Sequence, residues 1–378
     1  MIVGISKEIA TGERRVALTP DALKTLSATG IEVVVQAGAG IEAGFEDAAY
    51  EAAGGKLEAD AVLSRADVVV KVQPPSVQEI ESLRSGSVLI GFLKPLDLPE
   101  VARGLANQRV TAFSMELMPR ISRAQSMDAL SAMSTIAGYR AVLLGAAALP
   151  KIFPMLVTAA GTISPARVLV IGAGVAGLQA IATARRLGAV VEAYDTRPAV
   201  KEQVESLGGR FVELDLDAGD AQDAGGYAKA QTEEFYQKQQ ELLGKRIAAS
   251  DVVITTALVP GKPAPELITE AVVKAMKPGS VIVDLAAEKG GNCACTQPDQ
   301  DVVVHGVTIV GRTNLPSEIP ANASQMYSKN VVTFLKHLAP EGELVLDFED
   351  EITQGALFTH DGAIANEAAR ALAEGANG

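Results

Sequence analysis

Residues 167–195 read Arg-Val-Leu-Val-Ile-Gly-Ala-Gly-Val-Ala-Gly-Leu-Gln-Ala-Ile-Ala-Thr-Ala-Arg-Arg-Leu-Gly-Ala-Val-Val-Glu-Ala-Tyr-Asp. An apolar β-branched run, Val168 to Ile171, meets Gly172-Ala173-Gly174-Val175-Ala176-Gly177. A helix-period segment runs to Leu187, Gly188 turns the chain, and a second strand from Val190 to Tyr194 ends on Asp195. This is the βαβ fingerprint of a dinucleotide fold with every part in place. Gly172 permits the tight strand-to-helix turn, Gly174 lets a pyrophosphate approach the backbone, and Gly177 lets the helix pack close to the strand. The phosphates then sit at a helix N-terminus, beside Val175 and Ala176, where N–H groups and the positive end of the dipole favour an anion. Asp195 lies 18 residues beyond Gly177, placed to accept from the adenosine ribose hydroxyls. A carboxylate there repels the 2′-phosphate of NADP, so NAD is the expected dinucleotide. Arg197, two residues on, is of the type that accommodates such a phosphate.

The chain of 378 residues is long enough for two α/β domains. Its 48% hydrophobic and 21% charged residues describe a compact globular protein. Forty-six acidic residues against 33 basic ones give −13, a balance that disfavours nonspecific nucleic-acid binding. The N-terminus reads as a strand and a charged turn, without the apolar core of a secretory signal. The longest uncharged run, Ala141 to Pro150, is about half a membrane span, so no segment is expected to cross a bilayer. Cys293 and Cys295 stand as Cys-Ala-Cys, and His305, His337 and His360 form no metal-ligand spacing with them. No metal is expected, and the cysteines read as reduced thiols. With no nucleophile elbow either, the chemistry must be a cofactor's.

Working outward, the first 120 residues alternate strands (Ile2–Ile5, Glu32–Gln36, Val68–Val72, Val88–Phe92, Val110–Ala112) with helices (Asp21–Thr29, Ala48–Ala53, Ser76–Arg84, Pro99–Asn107). Gly38-Ala39-Gly40-Ile41-Glu42-Ala43-Gly44 mimics a nucleotide loop. No acid-terminated strand follows it, so it reads as a structural turn. A long helix, Met127 to Ala148, opens the second unit. Further strands are expected at Arg210–Glu213, Val252–Thr255, Val281–Asp284 and Val307–Val310. The segment from Asp215 to Gln240 reads as a polar insertion centred on Gly225-Gly226-Tyr227, a candidate lid. A helix from Ala323 to Leu338 is expected to return to the first domain. The fold class is α/β, with two Rossmann-like domains of parallel sheet separated by a cleft. The first is discontinuous, residues 1–128 plus 318–378, and the nucleotide-binding domain is 129–317.

Residues 115–140, Met-Glu-Leu-Met-Pro-Arg120-Ile-Ser-Arg123-Ala-Gln125-Ser126-Met-Asp128-Ala-Leu-Ser131-Ala-Met-Ser-Thr-Ile-Ala-Gly138-Tyr-Arg140, pack arginine, glutamine and aspartate into one loop before that long helix. Such a concentration of hydrogen-bonding groups suits a carboxamide and a ribose. The loop closely resembles that of the NAD(H)-binding component of proton-translocating nicotinamide nucleotide transhydrogenases. The resemblance extends through Gly12-Glu-Arg-Arg-Val-Ala-Leu-Thr-Pro20, Thr158-Ala-Ala-Gly-Thr162, the Gly172–Ala184 fingerprint, Lys201–Gly209, Gly225-Gly-Tyr-Ala-Lys229, Thr255–Pro265 and Asp284–Asn292.

The resemblance implies that Arg120, Gln125 and Asp128 hold the nicotinamide and its ribose and that Ser131 meets the carboxamide. It places Asp195 at the adenosine ribose, with Thr196, Arg197, Thr256, Ala257 and Leu258 around the nucleotide and Tyr227 on a closing loop. It further implies direct hydride exchange between NAD(H) bound here and NADP(H) on a partner subunit. Other implications are a homodimer, membrane beta and small alpha subunits that carry the proton, and a location on the cytoplasmic face of the inner membrane. Alanine dehydrogenase is the nearest relative and the alternative reading. In that family a lysine and a histidine of the first domain serve the substrate. Val70-Lys71-Val72 keeps the lysine, while Val88-Leu-Ile-Gly-Phe-Leu-Lys94-Pro95 has no histidine. A noncatalytic NAD-sensing module fits the fingerprint but gives no reason for the Arg-Gln-Asp loop.

Overall fold

The computed structural model describes residues 1–214, 232–259 and 261–375. The chain divides into two compact units, Met1–Met133 with Pro316–Gly378, and Ser134–Leu315. The joins fall within the Ala129–Ala148 helix and just before Pro316, where the sequence reading set them at 128/129 and 317/318.

In the first unit an eight-stranded sheet runs in the order 363–364, 357–360, 111–114, 88–91, 68–70, 2–5, 32–36, 56–58. The six strands from 111–114 onward are parallel, and the two from the C-terminal segment are antiparallel. Val68, Val69 and Val70 are fully buried, as expected of a central parallel strand covered on both faces. The Gly38–Gly44 segment is a turn: Gly38 N–H donates to the Asp47 carboxylate at 2.9 Å. A Cβ on Gly40 would lie 2.6 Å from the ring of Tyr50. The Pro320–Leu338 helix belongs to this unit. Ser324 and Ser328 on it accept from the backbone N–H groups of Val16 and Thr19.

The second unit carries a seven-stranded sheet, 210–211, 190–194, 167–171, 252–255, 281–284, 307–310, 301–304, parallel except for the last strand. Setting the short edge strand aside, the chain order across it is 3-2-1-4-5-6, the doubly wound arrangement. One face buries Val168, Val170, Val252 and Val283 against Ala141 and Val142 of the long helix and Ala180, Ile181 and Ala184 of the nucleotide helix. The other buries Leu169, Val253 and Ile282 against Leu243 and Ile247.

Three elements depart from the sequence reading. The end of the polar insertion is not loop, because Glu233–Ala249 is a helix, its N-terminus capped by Thr232, whose Oγ1 accepts from Phe235 N–H. Leu243 and Ile247 supply its buried stripe, which the surrounding Gln, Glu and Lys residues obscure. The rest of that insertion, with Tyr227, lies outside the described residues. Asp301–Val304 forms a hairpin with Val307–Val310 through His305-Gly306. A second hairpin, Leu156–Thr158 with Gly161–Ile163, leaves all six of its residues exposed, Val157 at 67%.

The Ala129–Ala148 helix is, among the described residues, the one long and apolar enough to cross a membrane by length and composition. Ala141 and Val142 are fully buried against the sheet and Arg140 lies beside them, so its apolar character serves a core.

Candidate functional site

In the second unit the strand 167–171 lies between 190–194 and 252–255, so three loops emerge side by side at their C-terminal ends. Strands 1 and 4 of the winding are neighbours here, which makes this the topological switch point where such sheets bind ligands. The three glycines of the first loop have three different environments. Gly172 adopts φ +100°, and a Cβ there would stand 2.4 Å from Thr256 Oγ1. A Cβ on Gly177 would strike the Gly172 carbonyl oxygen at 1.8 Å. A Cβ on Gly174 would meet nothing within 4 Å, so the space above this residue is open to a ligand. Gly174 is also the N-cap of the Val175–Arg186 helix, and no side chain caps it. The arrangement fits a pyrophosphate: open backbone, a helix N-terminus, and no protein group competing for the first-turn N–H groups.

Asp195 follows the second strand and is nearly buried. Its Oδ2 accepts from Ala173 N–H at 2.7 Å, tying the acid to the glycine turn. Arg197 grips the same carboxylate: Nε donates to Oδ1 at 2.9 Å, Nη2 to Oδ2 at 2.9 Å, and Arg197 N–H to Oδ1 at 2.8 Å. The sequence had set Asp195 and Arg197 as rivals for a 2′-position; the structure makes them an ion pair. Behind them, Gln239 Nε2 donates to the Tyr194 hydroxyl, whose ionisation burial pushes up to about 12.

The third loop begins at Thr256, whose Oγ1 donates to the Gly172 carbonyl at 3.1 Å. Ala257 is clamped by a residue that sequence reasoning passed over. Asn292, fully buried, accepts from Ala257 N–H at 3.0 Å and donates to the carbonyls of Ala257 at 2.9 Å and Pro265 at 2.8 Å. Asp284 in turn accepts from Asn292 N–H at 2.8 Å, Cys293 N–H at 3.1 Å and the hydroxyls of Thr255 and Thr296. The signal was available: Asp284 ends a strand, and Gly290-Gly291, both at positive φ, precede Asn292. Leu258 is exposed. Burial pushes the Cys293 thiol up to about 12 and raises Cys295 as well, so neither is a ready nucleophile.

A further glycine is decisive here. A Cβ on Gly138, in the long helix, would stand 2.0 Å from the carbonyl oxygen of Ala176. The two helices therefore touch at backbone distance at the first turn of the nucleotide helix.

In the first unit the Arg-Gln-Asp loop is a 3-10 turn, Ser122–Met127, pinned by buried Ala124 and Met127, with Arg120 and Gln125 exposed. Asp128 lies at the start of the long helix, where Oδ1 accepts from Ser131 N–H at 2.9 Å and Oδ2 from the Ser131 hydroxyl at 2.6 Å. Its cap role orients the carboxylate and spends the Ser131 proton, so toward a carboxamide NH2 that hydroxyl acts as an acceptor. A carboxylate has about four lone-pair positions, which leaves Asp128 able to accept from a ribose hydroxyl.

Elsewhere in this unit Lys71, 1% exposed, holds Glu79 at 2.6 Å and Glu8 at 3.5 Å. Burial raises the Glu8 carboxyl against the pull of Lys71 and the Val72 N–H. Arg15 is likewise locked on Glu13, with Nε at 2.8 Å and Nη2 at 2.6 Å. The loop after the 88–91 strand is held by Glu116, which accepts from Leu93 and Lys94 N–H at 3.1 and 2.9 Å and whose carboxyl is raised by burial.

Comparison with known proteins follows this division. Residues 4–137 match the model of the alanine dehydrogenase/PNT N-terminal domain, and residues 141–367 that of its C-terminal domain. The chain is 52% identical to the first portion of the NAD(P) transhydrogenase alpha subunit of Rhodospirillum rubrum, a separate chain there, over 97% of its own length and 98% of the relative's. It is 32% identical to alanine dehydrogenase of Bacillus subtilis, over 97% and 93%. It superposes on the crystal structure of transhydrogenase from Sinorhizobium meliloti with a TM-score of 0.86 and 44% identity, across 97% of this chain and 100% of that one. The nucleotide-binding Rossmann-like unit and the domain that precedes it are thus those of the alanine dehydrogenase/PNT family, to which the chain belongs, standing nearer its transhydrogenase alpha subunits than its alanine dehydrogenases.

Proposed function

We propose that the chain binds NAD(H) and exchanges hydride directly with NADP(H) held on a partner subunit, NADH + NADP⁺ ⇌ NAD⁺ + NADPH. The carrying observation is the glycine turn: Gly172 and Gly177 are closed by neighbouring atoms, while Gly174 opens onto a helix N-terminus tied to Asp195. In this reading Val175, Ala176 and Gly177 present N–H groups to the pyrophosphate, and Asp195 accepts from the adenosine ribose with Thr196 and Arg197 beside it. Thr256, Ala257 and Leu258 wall the nucleotide, and the Tyr227 segment closes over it.

Arg120 and Gln125 donate to the nicotinamide, Asp128 accepts from its ribose, and Ser131 accepts from its carboxamide. None of them transfers a proton. Their task is orientation, since hydride passes between C4 atoms only at near-attack separation, about 3–3.5 Å. The sequence carries one dinucleotide fingerprint, which is why the second nucleotide is assigned to another polypeptide. Membrane beta and small alpha subunits would carry the proton, with this chain peripheral to them on the cytoplasmic face. A homodimer is included in the proposal, supported by the exposed Met155, Leu156, Val157 and Ile163, an apolar surface of the kind that partners cover.

Mixing the chain with the NADP(H)-binding component and following reduction of the 3-acetylpyridine analogue of NAD⁺ by NADPH tests the reading. Rapid transfer is expected with both proteins and none with either alone. Absence of transfer by a mixture in which each protein binds its nucleotide would overturn it.

A further inference from the structure

The Arg-Gln-Asp loop is held by a segment of chain that comes some two hundred residues later. Asn330, on the Pro320–Leu338 helix, donates from Nδ2 to the carbonyl of Ser126 at 2.9 Å, across 204 positions of sequence. Ser126 lies between Gln125 and Asp128, the two side chains assigned to the nicotinamide. Asn330 is 8% exposed, and among the described residues nothing donates to its Oδ1, which is buried. The amide orientation is fixed by chemistry, because the reverse would set two oxygens against each other.

Leaving a buried acceptor unsatisfied costs about 1–3 kcal/mol, and an apolar residue of similar size at this position would avoid that cost. For fold stability alone, Asn330 is therefore a poor choice. The hydrogen bond it does make is aimed at one backbone atom of the nicotinamide loop.

A second tie comes from the same C-terminal segment. Arg123, in the same 3-10 turn, donates from Nη2 to Asp350 Oδ2 at 3.0 Å. Asp350 also caps the Glu351–Ala356 helix through Ile352 N–H at 2.8 Å and faces His337 Nε2 at 3.3 Å. His337 lies on the same helix as Asn330 and hydrogen-bonds Thr353 at 3.0 Å. The loop is thus tied at residue 126 by the helix itself and at residue 123 by a carboxylate that the helix braces.

We propose that Asn330 is a positioning residue for hydride transfer: it fixes the Ser126 carbonyl so that Gln125 and Asp128 meet the nicotinamide in one geometry, with Asp350 as the accessory tie. The role rests on the transhydrogenase reading above. It predicts that loosening Asn330 leaves nucleotide affinity in place and slows transfer, since a misplacement of about 1 Å can cost on the order of 100-fold in rate.

The test compares the parent chain with Asn330→Leu and Asn330→Asp. The first removes the donor and the orphan acceptor together; the second keeps the shape but cannot donate to Ser126. Hydrogen exchange over residues 121–128 is read on the chain by itself. NADH affinity is read by calorimetry, and the single-turnover rate by mixing with the NADP⁺-loaded partner component. Expected are faster exchange confined to 121–128, NADH affinity within about threefold of the parent, and transfer slowed at least tenfold, with Asp350→Asn giving the same pattern to a smaller degree. Should Asn330→Leu not fold, Asn330→Asp and Asp350→Asn carry the measurement. Parent-level transfer, or NADH affinity falling in step with the rate, would overturn the role. Unchanged exchange over 121–128 would overturn it without reference to transhydrogenation, whereas local loosening in a chain whose parent transfers no hydride would fault the functional reading instead.

Discussion

Asp195 and Arg197 show how much two side chains can decide. Alone, a carboxylate at the end of the second strand would repel the 2′-phosphate of NADP by its charge. Here the guanidinium holds both of its oxygens, and the pair presents little net charge to an incoming nucleotide. Selectivity for NAD(H) then depends on where Arg197 goes when the ribose hydroxyls claim the carboxylate. Asp195→Asn removes the anchor and leaves a cation beside the 2′-position. It should weaken NADH by about 1–3 kcal/mol, the loss of a charged hydrogen bond, and strengthen NADPH. Arg197→Ala should spare NADH and weaken NADPH, because the carboxylate then faces the phosphate unneutralised. Calorimetric titration of both variants with both nucleotides measures the two ratios. An NADH/NADPH ratio unchanged in Arg197→Ala would mean that Asp195 sets the preference without help.

At the scale of elements, the contact between the long helix and the nucleotide helix depends on Gly138. In an exposed helix interior, glycine to alanine stabilises by about 1 kcal/mol. At Gly138 the sign should reverse, because the added Cβ would sit 2.0 Å from the Ala176 carbonyl and push the first turn of the nucleotide helix outward. Gly138→Ala should lose about 1–3 kcal/mol to urea denaturation and should weaken NADH, whose phosphates are read by that turn. Equal or greater stability would show that the helices can separate without consequence. This contact was not legible in the sequence, where Gly138 is one small residue among many.

The central strands were legible because parallel strands buried on both faces read as unbroken apolar runs, as in Val168–Ile171 and Val252–Thr255. The edge hairpins were not, since Leu357–His360 and Asp301–Val304 are short and mixed in character. Their turns did carry a signal: His305-Gly306 and Asp361-Gly362 have both residues at positive φ, the two-residue connection in which glycine is favoured. In the site, the glycine turn and its acid could be found by spacing. Asn292 and Asn330 could not, because each acts on a backbone atom far away along the chain.

At the scale of the whole molecule, the first unit closes only when the C-terminal segment returns, adding two strands beside Thr111–Ser114 and the helix that carries Asn330. That return surrounds the residues which, in a dehydrogenase of amino acids, would have to bind a small carboxylate and exchange a proton. Tyr327 donates to the Lys71 carbonyl at 2.7 Å, and the lysine's own ammonium is shared between Glu79 and Glu8. Arg15 is closed on Glu13. Each of these cations already has a buried carboxylate partner, and a substrate carboxylate would have to displace it and leave a glutamate unpaired, a costly exchange in a buried site. Proton exchange near neutral pH is the province of histidine. The chain's three histidines lie elsewhere: His305 against Glu270, His337 against Thr353 and His360 against Thr111. The chain with NAD⁺ and L-alanine at alkaline pH should therefore produce no NADH above background. The reverse mixture of NADH, pyruvate and ammonium should consume none, although NADH itself binds. Absorbance of the reduced nicotinamide follows both directions in one cuvette. Sustained turnover in either would mean that Lys71 and Arg15 can release their glutamates, and the dehydrogenase reading would then displace the transhydrogenase one.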